Sequence, residues 1–219
     1  MHIQRRFAKR TSPELPGAAD SDRARADSWG DVKGYSSMRD ACKDIGELVE
    51  VVWVSGTPSL QVAYLITLAL LVSQVVAAMP PSPRELFRLL GKLDYAFASL
   101  ALGRDVETRE TLPGFEGRGG VSGTEKVRIR SLVERTRVSV VEAFKRGEFE
   151  EEVADEESVG DRMDVDGEGL VLEGDDFEDA EEVEDSWDMQ LARVYDRTMV
   201  ELGDSLGAPG IGLITEKRG

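Results

Sequence analysis

One histidine, one cysteine and a dense run of carboxylates are the groups in this 219-residue chain whose chemistry could be catalytic. A serine or cysteine nucleophile normally draws on a neighbouring base. The histidine is His2, inside a basic and polar opening segment, so a histidine-based triad is ruled out. One Cys with one His cannot supply a Cys/His zinc site, and Cys42 has no second cysteine for an internal disulfide. No metal or cofactor is expected. Carboxylate pairs work as acid and base only when held rigidly at set distances. Here they crowd between Glu148 and Asp185, where 20 acidic residues accompany a single base, Arg162, in a stretch too charged to fold alone. Their abundance reads as solvation.

Two local patterns imitate ligand sites. Asp164, Asp166, Gly167 and Glu173 match positions 3, 5, 6 and 12 of a calcium-binding EF-hand loop. Its first ligand position falls on Arg162, a cation, so weak condensation of divalent ions is favoured over a specific site. Gly117-Arg118-Gly119-Gly120 ahead of a helix could offer backbone N–H groups to a phosphate. It lacks a preceding strand and the Gly-Lys-Ser/Thr ending of a P-loop, so a flexible linker is the preferred reading.

Binding is better supported than catalysis. The chain carries a net charge of -16, of which Glu148 to Asp185 contributes -19, leaving +3 on the remainder. A mildly basic body therefore carries an acidic strap. Within the strap Phe149, Val153, Val159, Met163, Leu170, Val171, Leu172, Phe177 and Val183 alternate with acids, followed by Trp187. This composition suits disordered segments that dock on basic, partly apolar grooves. It equally suits a solubilising linker, or an intramolecular cover over Arg128, Arg130, Arg135 and Arg137. These arginines flank an apolar helical stripe, where their stems can lie along the core edge with wet heads. Phe115, the four arginines, Phe177 and Trp187 are the candidate partner contacts. Direct nucleic-acid binding is disfavoured, because the strap repels phosphates.

The elements that would position these groups follow from apolar spacing. Residues 1–36 show no sustained period and are expected to be a largely disordered tail; the basic start is read as a solvated tail ahead of a nuclear or mitochondrial address. Met38, Ala41, Ile45, Leu48 and Val52 share one helical face. Residues 60–79 carry no charge over a span-like length, yet polar interruptions and amphipathic neighbours favour a buried central helix over a membrane span. Ser82-Pro83-Arg84-Glu85 and Ser122-Gly123-Thr124-Glu125 both have capping-box spacing. They open stripes through Leu86, Leu90, Leu93, Phe97 and through Ile129, Val133, Thr136, Val140, Phe144, ending near Gly103 and Gly147. The intervening 104–121 stretch is a long polar loop with Leu112 to Phe115 as its apolar island. After the strap, Trp187, Leu191, Val194, Tyr195, Thr198 and Leu202 mark a last amphipathic helix over 186–206. The expected fold is all-α: an antiparallel bundle of four or five helices, with core 37–147, an acidic disordered insert over 148–185 and a tail over 207–219.

Leu86 to Leu100, Leu112-Pro113-Gly114-Phe115 and Thr124 to Arg137, taken together, resemble the fungal family of the sixth subunit associated with the transcription factor TFIIH. The resemblance spans about residues 37 to 206. It implies a nuclear, non-enzymatic protein that binds the TFIIH core and promotes release of its DNA-translocating helicase subunit. It brings no catalytic residues. Two other readings remain: a small membrane protein anchored through 60–79, and an acidic, histone-chaperone-like acceptor of basic proteins.

Overall fold

The structure, a computed structural model, describes residues 2–11, 32–150 and 187–207. Six helices are defined there, α1 His2–Thr11, α2 Met38–Val54, α3 Pro58–Ala78, α4 Pro83–Leu102, α5 Gly123–Lys145 and α6 Asp196–Gly207, and residues 187–192 form a further helical turn. The all-α expectation is borne out. Caps set several of the boundaries. Ser37 accepts from the Asp40 N–H to open α2, and Ser122 and Glu125 complete a reciprocal capping box at the start of α5. Ser82 departs from expectation: its side chain makes no cap, and the start of α4 rests on Pro83 at its first turn, whose fixed φ suits that position. Gly103, at φ +72, ends α4.

Successive main helices alternate in direction. Gln61 Nε2 donates to the Trp53 carbonyl at 2.8 Å across the α2–α3 turn. Lys92 meets Glu50, and Tyr95 meets Trp53, so α2 and α4 run the same way side by side. Arg146, just past α5, donates to the Val76 and Ala77 carbonyls at 3.1 and 3.3 Å, placing the ends of α3 and α5 together. A cation there also offsets the negative end of the α3 dipole. Around the core the order is therefore α2, α3, α5, α6, α4. Between α2 and α5, α3 buries Val62, Leu65, Leu68, Leu71, Val72, Val75 and Val76. It is long and apolar enough to cross a membrane by length and composition, but 56% of its most apolar 18-residue window is buried against its neighbours. Its inner side packs into the core, whereas Leu60, Tyr64 and Leu70 on its outer side are 48%, 42% and 38% exposed, so a helix apolar nearly all round is covered on one side only.

The 104–121 loop is fixed rather than loose. Val121 N–H donates to the Leu100 carbonyl at 3.0 Å and Leu112 N–H to the Gly103 carbonyl at 3.1 Å, folding the loop across the end of α4. Only glycine fits this crossing. A Cβ on Gly120, at φ +91, would stand 2.1 Å from the Ala101 carbonyl oxygen, and one on Gly103 would stand 2.7 Å from the Gly120 nitrogen. The Gly117 to Gly120 run is therefore a packing device at one end, not a linker.

The last helix, expected to be continuous over 186–206, breaks at Arg193 to Tyr195, with Tyr195 at φ +57. The cause is a buried carboxylate. Asp94, 8% exposed on α4, accepts from the Thr198 N–H at 2.8 Å, the Thr198 hydroxyl at 2.7 Å and the Arg197 N–H at 3.3 Å. In an unbroken helix those two amides would bond to residues 193 and 194. Asp94 takes them instead, capping α6 from another helix, and the regular pattern resumes with Met199 N–H to the Tyr195 carbonyl at 3.0 Å. The Tyr195 ring is buried against Phe97, and burial followed by the nearby Asp94 charge pushes its phenol well above the usual range. Its hydroxyl has no hydrogen-bond partner among the described residues.

The opening segment, expected to lack structure, contributes α1. Ile3 is buried and Phe7 half-buried against the core. A ten-residue helix is marginal in water by itself, so α1 owes its form to docking, which a search for sustained periodicity does not register.

Two outcomes test this architecture. Gly120→Ala should lower unfolding free energy by about 3 kcal/mol in urea denaturation, whereas Gly119→Ala, with open space around its Cβ, should stay within about 0.5 kcal/mol. Asp94→Ala should cost about 2–3 kcal/mol and speed hydrogen exchange at Arg197 and Thr198; Asp94→Asn keeps an acceptor and should cost less.

Candidate protein-binding surfaces

The α5 stripe folds as its spacing requires. Ile129, Leu132, Val133, Thr136, Val140 and Phe144 are all buried. The flanking arginines divide into two kinds. Arg130 is half-buried and pairs with Glu134 at 3.0 Å, one turn on. Half-buried Arg137 reaches the Ala192 carbonyl at 3.5 Å, a long contact beside the turn that precedes α6. Arg128 and Arg135 are exposed. On the same outer surface Val127 and Val138 are 56% and 57% exposed. Val127, Ser131, Arg135 and Val138 follow at spacings of four, four and three, which is one continuous face of a helix. This outward stripe escaped the sequence reading because the stronger inward stripe hid it.

The other candidate contacts are placed differently. Phe115 is 3% exposed and belongs to the core, so it is not available to a partner. Its island packs on the α2–α3 turn: a Cβ on Gly114 would meet Pro58 Cγ at 2.8 Å, and Pro113 lies 3.6 Å from a Cβ built on Gly56. The apolar island is thus the anchor of its loop. Trp187 is half-buried, its ring 5.2 Å from Phe149 and 6.2 Å from Phe144, which in turn stacks with Phe87 at 5.2 Å. Phe177 and the EF-hand-like run 162–173 lie outside the described residues.

Both edges of the acidic segment are consequently pinned at one place. Glu150 N–H donates to the Pro81 carbonyl at 2.9 Å, and its carboxylate accepts from the Arg39 N–H at 3.1 Å and from the Met38 N–H, capping α2. An acid at a helix N-terminus satisfies free amides and complements the dipole. The signal was present in the sequence only as one carboxylate among many.

Chemistry elsewhere is sparse. Cys42 is buried, and its thiol is pushed up to about 12, by desolvation first and then by the charges of Glu85 and Glu150. Such a thiol is a poor nucleophile. Among the described residues, no group of three or more His, Cys, Asp or Glu could hold a metal ion. An open groove of about 560 Å³ between α2 and α4 is lined by Arg39, Lys43, Arg88 and Lys92 interspersed with Asp40, Glu47, Glu50 and Glu85. Its charges balance, and Lys92 is already paired with Glu50 at 2.5 Å. In the loop, Asp105 accepts from the Tyr95 hydroxyl and from the Glu107 and Thr108 amides. Desolvation raises the Asp105 pKa, but these donors outweigh it and hold the carboxyl below its ordinary value. That set closes a turn.

Residues 34–203 match the family described as TFB6, subunit 11 of the general transcription factor TFIIH. No curated protein and no solved structure gives a significant match. The matched region runs from just ahead of α2 into α6 and takes in the capping box, the Gly120 crossing and the Asp94 cap, while α1 falls outside it. Over most of its length, and through every element of the bundle core, the chain belongs to the family of subunit 11 of TFIIH.

Proposed function

We propose that the chain is a non-catalytic regulatory subunit that acts in the nucleus by binding TFIIH, with the outer face of α5 as its contact surface. The observation that carries this reading is the pairing of the family match with an exposed stripe of Val127, Arg128, Arg135 and Val138. Exposed arginines beside exposed valines suit a partner that is acidic and partly apolar, because guanidinium groups bind carboxylates with two parallel bonds. The strap, including Phe177, adds a second contact of opposite charge for a basic partner surface. Release of the helicase subunit from the TFIIH core follows in this reading from competition: the chain occupies a surface that the helicase needs.

Purification of the tagged chain should recover TFIIH subunits, and a preparation lacking all of them would overturn the proposal. Replacing Arg128 and Arg135 by Glu should reduce that recovery at least tenfold, which corresponds to about 1.4 kcal/mol. Thermal stability should hold, because both side chains are exposed. With purified TFIIH, adding the chain should lower the amount of helicase subunit retained on the core, and the doubly substituted chain should not.

A further inference from the structure

The contact between α1 and the bundle is built like a peptide-recognition site. Ile3, Arg6, Phe7 and Arg10 fall at spacings of three, one and three, which is one face of a helix. Ile3 is 3% exposed, and Phe7 packs against the same core. Arg6 is gripped three ways. Its Nη1 pairs with Asp44 Oδ2 at 2.5 Å, its guanidinium lies 4.2 Å from the Tyr35 ring centroid, and its Nε donates to the Lys33 carbonyl at 3.3 Å. The Tyr35 hydroxyl donates to the same Asp44 oxygen at 3.0 Å, so ring and carboxylate form one preset receptor. Arg10 Nη1 closes the far end on the Tyr35 and Ser36 carbonyls, both at 3.2 Å. Gly34 lets the helix approach: a Cβ there would lie 3.1 Å from the Arg10 nitrogen.

Three features make this docking separable from the fold. Ten residues are too few to hold a helix alone in water, so α1 gains its form only on the surface. The family match begins at residue 34, after α1, while Tyr35 and Asp44 lie within it. Residues 12–31 join the two, enough chain to span on the order of 60 Å when extended.

We propose that the Tyr35–Asp44 face is a helix-binding site filled in cis by α1, and that a basic amphipathic helix of a partner protein with the same anchors displaces it. The anchors are an apolar residue, an arginine three positions on and an aromatic residue four positions on. Such a site reads the helix by burying two apolar side chains and one arginine, the helix-in-groove mode of recognition. Tethering gives α1 a local concentration in the millimolar range, so a free helix competes poorly until α1 is released.

The test uses the full-length chain and a labelled peptide of residues 2–11, followed by fluorescence anisotropy at near-physiological salt. Wild type should bind the peptide weakly, and Ile3→Asp, which undocks α1, should bind it about tenfold more tightly or better. Adding Asp44→Ala to Ile3→Asp should return binding to the wild-type level. Arg6→Glu serves as a second undocking variant should Ile3→Asp fail to fold. A scrambled peptide of equal charge should bind none of them differently. Equal binding to wild type and both undocked variants, or equal binding by the scrambled peptide, would mean charge attraction to the acidic segment alone and overturns the proposal. Absence of saturable binding to a folded undocked variant overturns it as well.

Discussion

A carboxylate shut inside a helical bundle must find donors, and Asp94 finds them in the free amides of another helix. The arrangement solves two problems together. The charge of Asp94 is satisfied by Arg197, Thr198 and the Thr198 hydroxyl, and α6 receives the cap that its own preceding residue, Tyr195, cannot give. The register of α6 on α4 is thereby fixed, since a shift by one residue would bring different amides to the carboxylate. Arg197 adds an exposed pair with Glu107 at 3.0 Å, tying the same turn to the 104–121 loop, though such a surface pair contributes little alone. Chain segments about a hundred positions apart thus meet at one point of high specificity, and the turn at Tyr195 is the strain accepted for it.

The remaining architecture arranges apolar surface around that joint. α3 is apolar on nearly every side; α2 and α5 cover its inner side, and Leu60, Tyr64 and Leu70 leave an apolar outer side open. The 104–121 loop reaches across the end of α4 only because Gly103 and Gly120 have no side chains to collide. Its far part is held by Phe115 and Leu112, both buried. Outside this packing lies, among other exposed surfaces, the α5 face with Arg128 and Arg135 beside Val127 and Val138.

Helices α2 to α5 were legible in the sequence because each carries a strong apolar period and punctuation by Ser, Pro or Gly. The capping box at Ser122 is one instance, and Gly103 another. Ser82 shows the limit, since the same spacing did not produce a side-chain cap where Pro83 already set the turn. The break at Tyr195 was invisible to periodicity: Val194, Thr198 and Leu202 keep their spacing across it, and the cause lies on α4. Asp94 itself was a readable anomaly, a charge four residues after Leu90 and three before Phe97 on an apolar face. Phe115 was misplaced because a lone aromatic in a polar loop looks exposed until its packing partner, the α2–α3 turn, is known. α1 was missed because its two apolar anchors are too few to form a pattern. Periodicity reports what an element buries, whereas these features depend on what another element offers.

The closure of Phe149 on Trp187, ring centroids 5.2 Å apart, brings two distant parts of the chain to one point. Phe149 and Trp187, on either side of the acidic segment, meet in one aromatic cluster, so the chain between them has little distance to bridge. In any flexible loop closed at one point, added length costs only a slowly growing, logarithmic entropy. A cut between Phe149 and Trp187 would leave two fragments whose interface still holds the Asp94 cap and the Phe144 cluster. Residues 32–150 and 187–207 are in this sense two partners of one assembly, held by the Asp94 cap at one place and by the aromatic cluster at another.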